Sequence, residues 1–180
     1  PGRHNMFNAV TALGMAILVG VPINCLPKAL KSFRGVKRRF SYKIKKNNLI
    51  LIDDYAHHPT EIKALHQAVT EMYPNDKKQI VFQPHLFSRT KDFGIEFAES
   101  LSAFDEIILL DIYPAREKPI AGITSNWLLK MIRNDSKVIA QKKQLSTLMK
   151  DSDCMVKLMV GAGDIGAEVD VVTKNLNYEN

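Results

Sequence analysis

The chain reads Leu49-Ile50-Leu51-Ile52-Asp53-Asp54-Tyr55-Ala56-His57-His58-Pro59-Thr60-Glu61 in its central part. The first four residues form an aliphatic run that is typical of a buried strand. Pro59 suits the first turn of a helix, where its missing N–H removes no hydrogen bond. Carboxylates, a phenol and imidazoles therefore follow the carboxyl end of a strand. In open α/β sheets ligands bind at that edge, so the stretch is the first candidate for a functional site.

Strand and helix patterns alternate on the carboxyl side of this stretch. A hairpin precedes it, because residues 39–45 alternate in polarity and Asn47-Asn48 tolerate turn geometry. After it we predict helices at 61–73, 92–104, 125–132, near 142–149 and from 166, and strands at 79–82, 106–110, 137–140 and 155–160. The order predicts an α/β fold: a Rossmann-like, mostly parallel sheet with helices on both faces, joined by right-handed crossovers.

The first 35 residues have a different pattern. Apolar residues recur at helical spacing in 8–18 and again in 26–33, with Gly35 ending the second helix. No strand precedes these two short helices, so we interpret residues 1–35 as the tail of an upstream domain and 36–180 as a second domain. The first residue is Pro1 rather than Met, which favours a piece of a longer protein.

Composition restricts the classes of function. The 180 residues carry a net charge of +6, concentrated between Lys28 and Lys46. This cluster suits phosphate or nucleic acid, but no RNA-binding or DNA-binding module signature accompanies it, and a solvated linker and edge strand explain it equally well. The apolar stretch 9–25 is interrupted by polar residues, Gly and Pro, so we expect no membrane span. We expect Cys25 and Cys154 to be free, buried thiols.

Three more polar loops follow predicted strands, at 83–90, 111–124 and 161–166. Parallel strands bring such loops to one edge of the sheet. In the first of them His85 and Arg89 are four residues apart, and arginine is suited to fork-like recognition of a carboxylate or phosphate. The alternative is an arginine that makes only surface contacts. The long loop 111–124 is of a length that is usually functional or disordered.

The last of these loops, Gly161-Ala162-Gly163-Asp164-Ile165-Gly166, matches the dinucleotide-binding pattern G-x-G-x-x-G. Too few residues follow for the second strand and the ribose-binding acid of that motif. We therefore expect the glycines to shape a tight turn. Near the other end, Asn5 and Asn8 are one helical turn apart; their amides could pair with a base edge or cap a helix.

Together these segments resemble the bacterial Mur ligases, and among them the UDP-N-acetylmuramate:L-alanine ligase family. The resemblance is carried by His4-Asn5 with Asn8-Ala9, by 36–40 and 53–62, by the FQPH and SRT segments of 82–90, and by 111–120 and 161–166. It implies a cytoplasmic three-domain enzyme of peptidoglycan synthesis that joins L-alanine to UDP-N-acetylmuramate through an acyl phosphate made from ATP. Neither nucleic acid nor membrane is an expected partner, and the murein peptide ligases are the nearest alternative. A non-catalytic nucleotide-binding module remains a further alternative.

The resemblance also implies a nucleotide side of the site. Asn5 and Asn8 would contact the adenine, Arg39 would lie near the phosphates, Asp54 at the ribose hydroxyls and Tyr55 beside the nucleotide. The family's G-K-[ST] phosphate loop and its Mg²⁺ ligands have no counterpart in these residues, so we expect them in upstream domains and predict no metal ligand here. A fragment of this extent is expected to be inactive alone.

The amino-acid side is implied in the same way. His57, His85 and Arg89 would face L-alanine and the acyl phosphate. One position departs from the family, since many relatives carry arginine after the histidine of the FQPH segment, whereas this chain has Leu86. Arg89 would therefore carry more of any carboxylate contact.

Overall fold

The computed structural model describes residues 2–33 and 35–177, so Arg34 of the predicted linker and the side chain of His4 lie outside the described residues. The chain begins with helix α1 (Arg3–Leu18), a 3-10 turn (Ile23–Cys25) and helix α2 (Leu26–Ser32). The sheet described below has a hydrophobic core on each face. None of the described residues of these first helices belongs to either core. Within 2–33 and 35–177 no helix is both long and apolar enough to cross a membrane.

The rest of the chain forms one six-stranded sheet. Its strands are β1 (Ser41–Lys45), β2 (Ile50–Asp54), β3 (Lys78–Phe82), β4 (Glu106–Leu109), β5 (Lys137–Ile139) and β6 (Val156–Val160), in the spatial order β1-β2-β6-β3-β4-β5. Only β1 is antiparallel to its neighbour, as the hairpin pattern predicts. The other strands are parallel, which confirms the predicted fold class.

Helices cover both faces of the sheet. Successive side chains of each strand point to opposite faces, so they contribute alternately to the two cores between the sheet and the helices. Ile50, Ile52, Ile80 and Phe82 join one core. There they pack against α3 (Pro59–Met72), α5 (Gly94–Leu101) and α6 (Ser125–Met131). Leu51, Val81 and Met159 join the opposite core, beneath α7 (Leu145–Lys150) and α8 (Ile165–Asn177). This division explains why the central strands read as continuous apolar runs.

The sequence-based prediction was wrong at two points. The helix predicted for 92–104 begins only at Gly94, as α5, and a separate helix α4 (Phe87–Asp92) occupies part of the predicted loop 83–90; Phe93 between the two helices has a ψ of 24°. The Phe93 ring packs against His58, and Gly94 lies so close to Trp127 that a Cβ would stand 2.4 Å from its ring. Cys154 is buried as predicted, but Cys25 is exposed.

Candidate active site at the carboxyl edge of the sheet

Asp54 ends β2 and joins two loops. Its Oδ2 accepts the Phe40 N–H at 2.7 Å, and its Oδ1 accepts the Ala56 N–H at 2.8 Å. Burial raises the pKa of Asp54 above its ordinary value, although these bonds oppose the shift. Each oxygen keeps a further lone pair that could accept a hydrogen bond, and the predicted contact with ribose hydroxyls stays a prediction.

Arg38, which the sequence analysis did not single out, contacts three separate parts of this edge. Its Nε lies 3.1 Å from Asp53 Oδ1, its Nη2 donates to the Gly161 carbonyl at 2.7 Å, and its guanidinium stands 5.3 Å from the Tyr55 ring centroid. One side chain thus connects β2, the end of β6 and the predicted nucleotide-facing tyrosine. The neighbouring Arg39 remains 55% exposed and only approaches Glu61, at 3.9 Å.

The two adjacent imidazoles at the start of α3 have different environments. His58 is the N-cap: its Nδ1 accepts from the Thr60 N–H, and Glu61 reaches back to the backbone N–H groups of His57 and His58. This capping box occupies His58 and Glu61 with the helix terminus. His57 donates its backbone N–H to Glu61, and its ring Nδ1 also lies 3.5 Å from Glu61 Oε2.

The His57 ring has a defined tautomer when neutral. Its Nδ1 lies 2.9 Å from the Tyr55 carbonyl oxygen, which can only accept, so Nδ1 carries the hydrogen and Nε2 the lone pair. The ring meets Tyr55 edge-on at 5.4 Å and lies 6.1 Å from His85, centroid to centroid. His85 in turn stacks on Tyr113 at 5.6 Å. The structure therefore brings together Tyr55 and His57 from the loop after β2, His85 from the loop after β3 and Tyr113 from the loop after β4.

Two buried polar atoms that follow β3 have no partner among the described residues: His85 Nδ1 in the loop and Arg89 Nη1 in α4. Burial lowers the pKa of His85, and the nearby Arg89 and His57 lower it further, against the opposing effect of Glu117. The lowered pKa favours the neutral form of the His85 imidazole. Buried polar atoms nearly always have partners, so such a pair marks a place for a polar ligand.

At each glycine of the G-x-G-x-x-G pattern, other atoms of the chain crowd the position that a Cβ would take. A Cβ on Gly161, whose φ is +147°, would stand 2.8 Å from the Gln83 carbonyl oxygen. A Cβ on Gly163 would stand 2.4 Å from Gln83 Oε1, and one on Gly166 would stand 2.6 Å from Arg38 Nη1. The glycines thus allow close packing of this chain on itself, which gives a physical reason for the pattern without a dinucleotide.

The glycine loop gives a first prediction about stability. Gly161→Ala is expected to lower the free energy of unfolding by about 2–4 kcal/mol, since it adds an overlap with backbone to a strained φ. Gly122→Ala is the matched control: its φ is +79° but nothing lies within 4 Å of a Cβ there. It should lower that free energy by only about 1 kcal/mol. Urea unfolding of both variants measures the difference, and equal effects would contradict this account of Gly161.

A cleft of about 480 Å³ opens beside these residues. It lies where β4 continues to α6 on one face and β5 to α7 on the other, a position where doubly wound sheets form crevices. Gln83, Tyr113, Lys142 and Asp164 line it. Gln83 donates to Asp164 at 2.7 Å and accepts from the Ile165 N–H at 2.9 Å, and Lys142 pairs with Asp164. Three of the predicted loops, those after β3, β4 and β6, therefore meet at this cleft, and the loop after β2 reaches the same edge through the contact of His57 with His85.

Two of the predicted site residues lie elsewhere. Asn5 and Asn8 are on α1, one turn apart, and Asn8 is exposed. Because both residues belong to α1, no strand of the sheet determines their position. Nowhere in 2–33 and 35–177 are three His, Cys, Asp or Glu side chains arranged to hold a metal ion.

Comparisons with known proteins identify the fold and the family. The model of the family described as "Mur ligase, glutamate ligase domain" matches residues 38–164. The UDP-N-acetylmuramate–L-alanine ligase of Christiangramia forsetii is 64% identical over 179 residues, which are 99% of this chain and 40% of that protein. The same ligase of Flavobacterium psychrophilum is 59% identical over 98% of this chain and 40% of its own length.

Solved structures agree. The UDP-N-acetylmuramate-alanine ligase MurC of Thermotoga maritima superposes with a TM-score of 0.79 at 29% identity, over 100% of this chain and 39% of that one. A murein peptide ligase of Psychrobacter arcticus reaches 0.69 at 20% identity, over 100% of this chain and 38% of that one, and shows the fold alone. The chain spans about 40% of the length of the curated relatives that it matches. By the family match to residues 38–164 and these identities, the chain belongs to the Mur ligase family.

Proposed function

We propose that this chain is the C-terminal part of an ATP-dependent ligase that joins L-alanine to UDP-N-acetylmuramate in the cytoplasm. Residues 1–35 would close the central domain and 36–180 would form the C-terminal domain. The support is the identity of 64% to a relative of that name. Since the chain corresponds to about 40% of such a relative, the activity would belong to a complete protein that includes it.

One observation carries the proposal: the unpartnered, buried His85 Nδ1 and Arg89 Nη1. An amino acid offers a carboxylate that accepts hydrogen bonds and an ammonium that donates them. The Arg89 guanidinium donates to carboxylates in a fixed fork, and a neutral imidazole with its hydrogen on Nε2 accepts at Nδ1. This pair therefore fits the two charged ends of an amino acid better than it fits a neutral ligand.

The same groups suit amide formation. When the amine attacks an acyl phosphate, the new C–N bond forms, the C–O bond to phosphate breaks and the amine loses a proton. A neutral imidazole can take that proton. His57 Nε2 carries a lone pair for it in the tautomer described above, His85 Nδ1 carries one when the hydrogen of that ring is on Nε2, and Arg89 can stabilise the negative charge that develops on oxygen.

The nucleotide side is supported by accessible side chains. The Tyr55 ring is 38% exposed, and the Arg39 guanidinium lies free at the rim except for its distant approach to Glu61. These groups fit the stacking and phosphate contacts that a nucleotide needs. Asp54, Asn5 and Asn8 would complete them. ATP would supply the phosphoryl group that activates the carboxylate, with Mg²⁺ whose ligands would come from upstream domains.

The experiment is a phosphate-release assay on the product of the complete open reading frame that encodes these residues. We expect phosphate and ADP only when ATP, L-alanine and UDP-N-acetylmuramate are all present, and no turnover by the 180 residues alone. Turnover with the tripeptide L-Ala-γ-D-Glu-meso-diaminopimelate in place of L-alanine would assign the protein to the murein peptide ligases. A folded complete protein without turnover on either substrate would refute the proposal.

A further inference from the structure

Glu117 lies in the long loop between β4 and α6 and holds Ser88, which is 29 residues away in the sequence. Its Oε2 accepts the Ser88 N–H at 2.9 Å, and its Oε1 accepts a short hydrogen bond from the Ser88 hydroxyl. These bonds lower the pKa of Glu117, so the group is ionised at pH 7. Both oxygens of one carboxylate are thus directed at a single residue in the first turn of α4.

The backbone that Glu117 holds is strained. Leu86, two residues before Ser88, has φ 74° and ψ 134°, a conformation that a branched L-residue rarely adopts. On its other side the Leu86 N–H donates to the Tyr113 carbonyl at 2.9 Å, and the Tyr113 N–H donates to the Pro84 carbonyl at 2.8 Å. Such strain persists only where the surroundings fix it, and here one loop fixes it on both sides.

His85 and Arg89 flank this strained segment. Both carry a buried polar atom without a partner among the described residues, and the His85 ring stacks on Tyr113 of the same loop that supplies Glu117. The direction of both side chains is set by the backbone between them. A residue that fixes Ser88 therefore fixes the place where the two unpartnered atoms meet a ligand.

We propose that Glu117 is a positioning residue for the amino-acid substrate. It touches no reacting atom; it acts through Ser88 on the distance between Arg89 and His85. This inference rests on the proposed function for its substrate and on the contacts above for its geometry. The competing explanation is a simple helix cap, since Leu86 supplies no side-chain cap to α4. A cap would affect stability without selecting one substrate.

The kinetic test compares Glu117→Ala, Glu117→Gln and Ser88→Ala in the complete protein, with Glu99→Gln as control because Glu99 is exposed on α5. We expect Glu117→Ala to raise KM for L-alanine by about 10- to 100-fold while KM for ATP changes by less than about twofold. Glu117→Gln should recover part of the loss, because its amide oxygen still accepts from the Ser88 N–H. The double variant Glu117→Ala with Ser88→Ala should be no worse than Glu117→Ala alone.

A second measurement separates this proposal from the proposed function. If the parent protein shows no turnover, the function fails, and the positioning is then judged by NMR of the same variants. Glu117→Ala should speed amide exchange at Ser88 and lower the pKa of His85, because Glu117 raises that pKa while Arg89 and His57 lower it. A lower melting temperature with unchanged kinetic constants, or unchanged exchange and His85 titration, overturns the proposal.

Discussion

Replacing Arg89 by alanine in the complete protein is expected to lower kcat/KM for L-alanine by about 30- to 1000-fold, or about 2–4 kcal/mol. The reason is that Arg89 Nη1 is buried and has no partner among the described residues, so a substrate carboxylate would be its counterion. The same variant should not lose thermal stability. Removing a buried donor that has no acceptor removes an unfavourable desolvation, so the melting temperature should stay the same or rise.

Two companion variants sharpen this result. Arg89→Lys keeps the charge but loses the planar fork, so most of the loss should remain. Lys91→Ala removes an exposed cation from the same helix and should leave kcat/KM within about twofold of the parent. If Arg89→Ala retained kcat/KM within about threefold, Arg89 would have no substrate contact of consequence.

Replacing Arg38 by alanine is expected to have the largest effect on stability, about 3–5 kcal/mol at pH 7. Arg38 is the cation beside Asp53, which is only 2% exposed, and it also bonds to the Gly161 carbonyl. Its removal leaves a buried carboxylate without its counterion and a carbonyl without its donor. Equilibrium unfolding in urea measures the loss.

The Arg38→Ala effect should also depend on pH. Burial raises the pKa of Asp53, and Arg38 opposes that rise, so the variant should raise this pKa further. An acid whose pKa is higher in the folded state than in the unfolded state binds more protons when folded. Its contribution to stability is therefore present at low pH and lost as pH rises through the folded pKa. The defect of Arg38→Ala should therefore shrink as the pH is lowered from 7.

Adding Asp53→Asn to Arg38→Ala should recover part of the stability at pH 7, because the unpaired charge is gone. Arg133→Ala provides the control, since Arg133 is exposed, and it should change the free energy of unfolding by less than about 0.5 kcal/mol. A loss for Arg38→Ala that is small, or that grows on acidification, would contradict the role given to the Asp53 contact.

The fold could be predicted largely from local pattern. The apolar runs that became β2, β3, β4 and β6 are buried on both faces, and the hairpin turn at Asn47-Asn48 has its expected place. The break at Phe93 could not be predicted in this way. It depends on the contact of the Phe93 ring with His58 and of Gly94 with Trp127, which are distant in sequence.

The sequence predicts those site residues whose chemical type alone indicates a function. It does not predict residues whose role depends on which distant residue they contact. His57, His85 and Tyr55 follow strands and converge, as parallel topology requires. Arg38 and Arg39 are indistinguishable in the sequence. Only the contact of Arg38 with Gly161, 123 residues away, shows which of the two is held inside. The role of Glu117 could not be predicted for the same reason, because nothing near it in the sequence indicates its contact with Ser88.

In the proposed function, Arg89 and His85 bind the amino acid at the carboxyl edge of the sheet. A crystal structure of the complete protein with ADP, UDP-N-acetylmuramate and L-alanine tests it most directly, because ADP does not permit turnover. The alanine carboxylate should lie within about 3 Å of the Arg89 guanidinium, with His85 Nδ1 facing the amine. Alanine ordered elsewhere, with both atoms still unpartnered or paired within the protein, would contradict it.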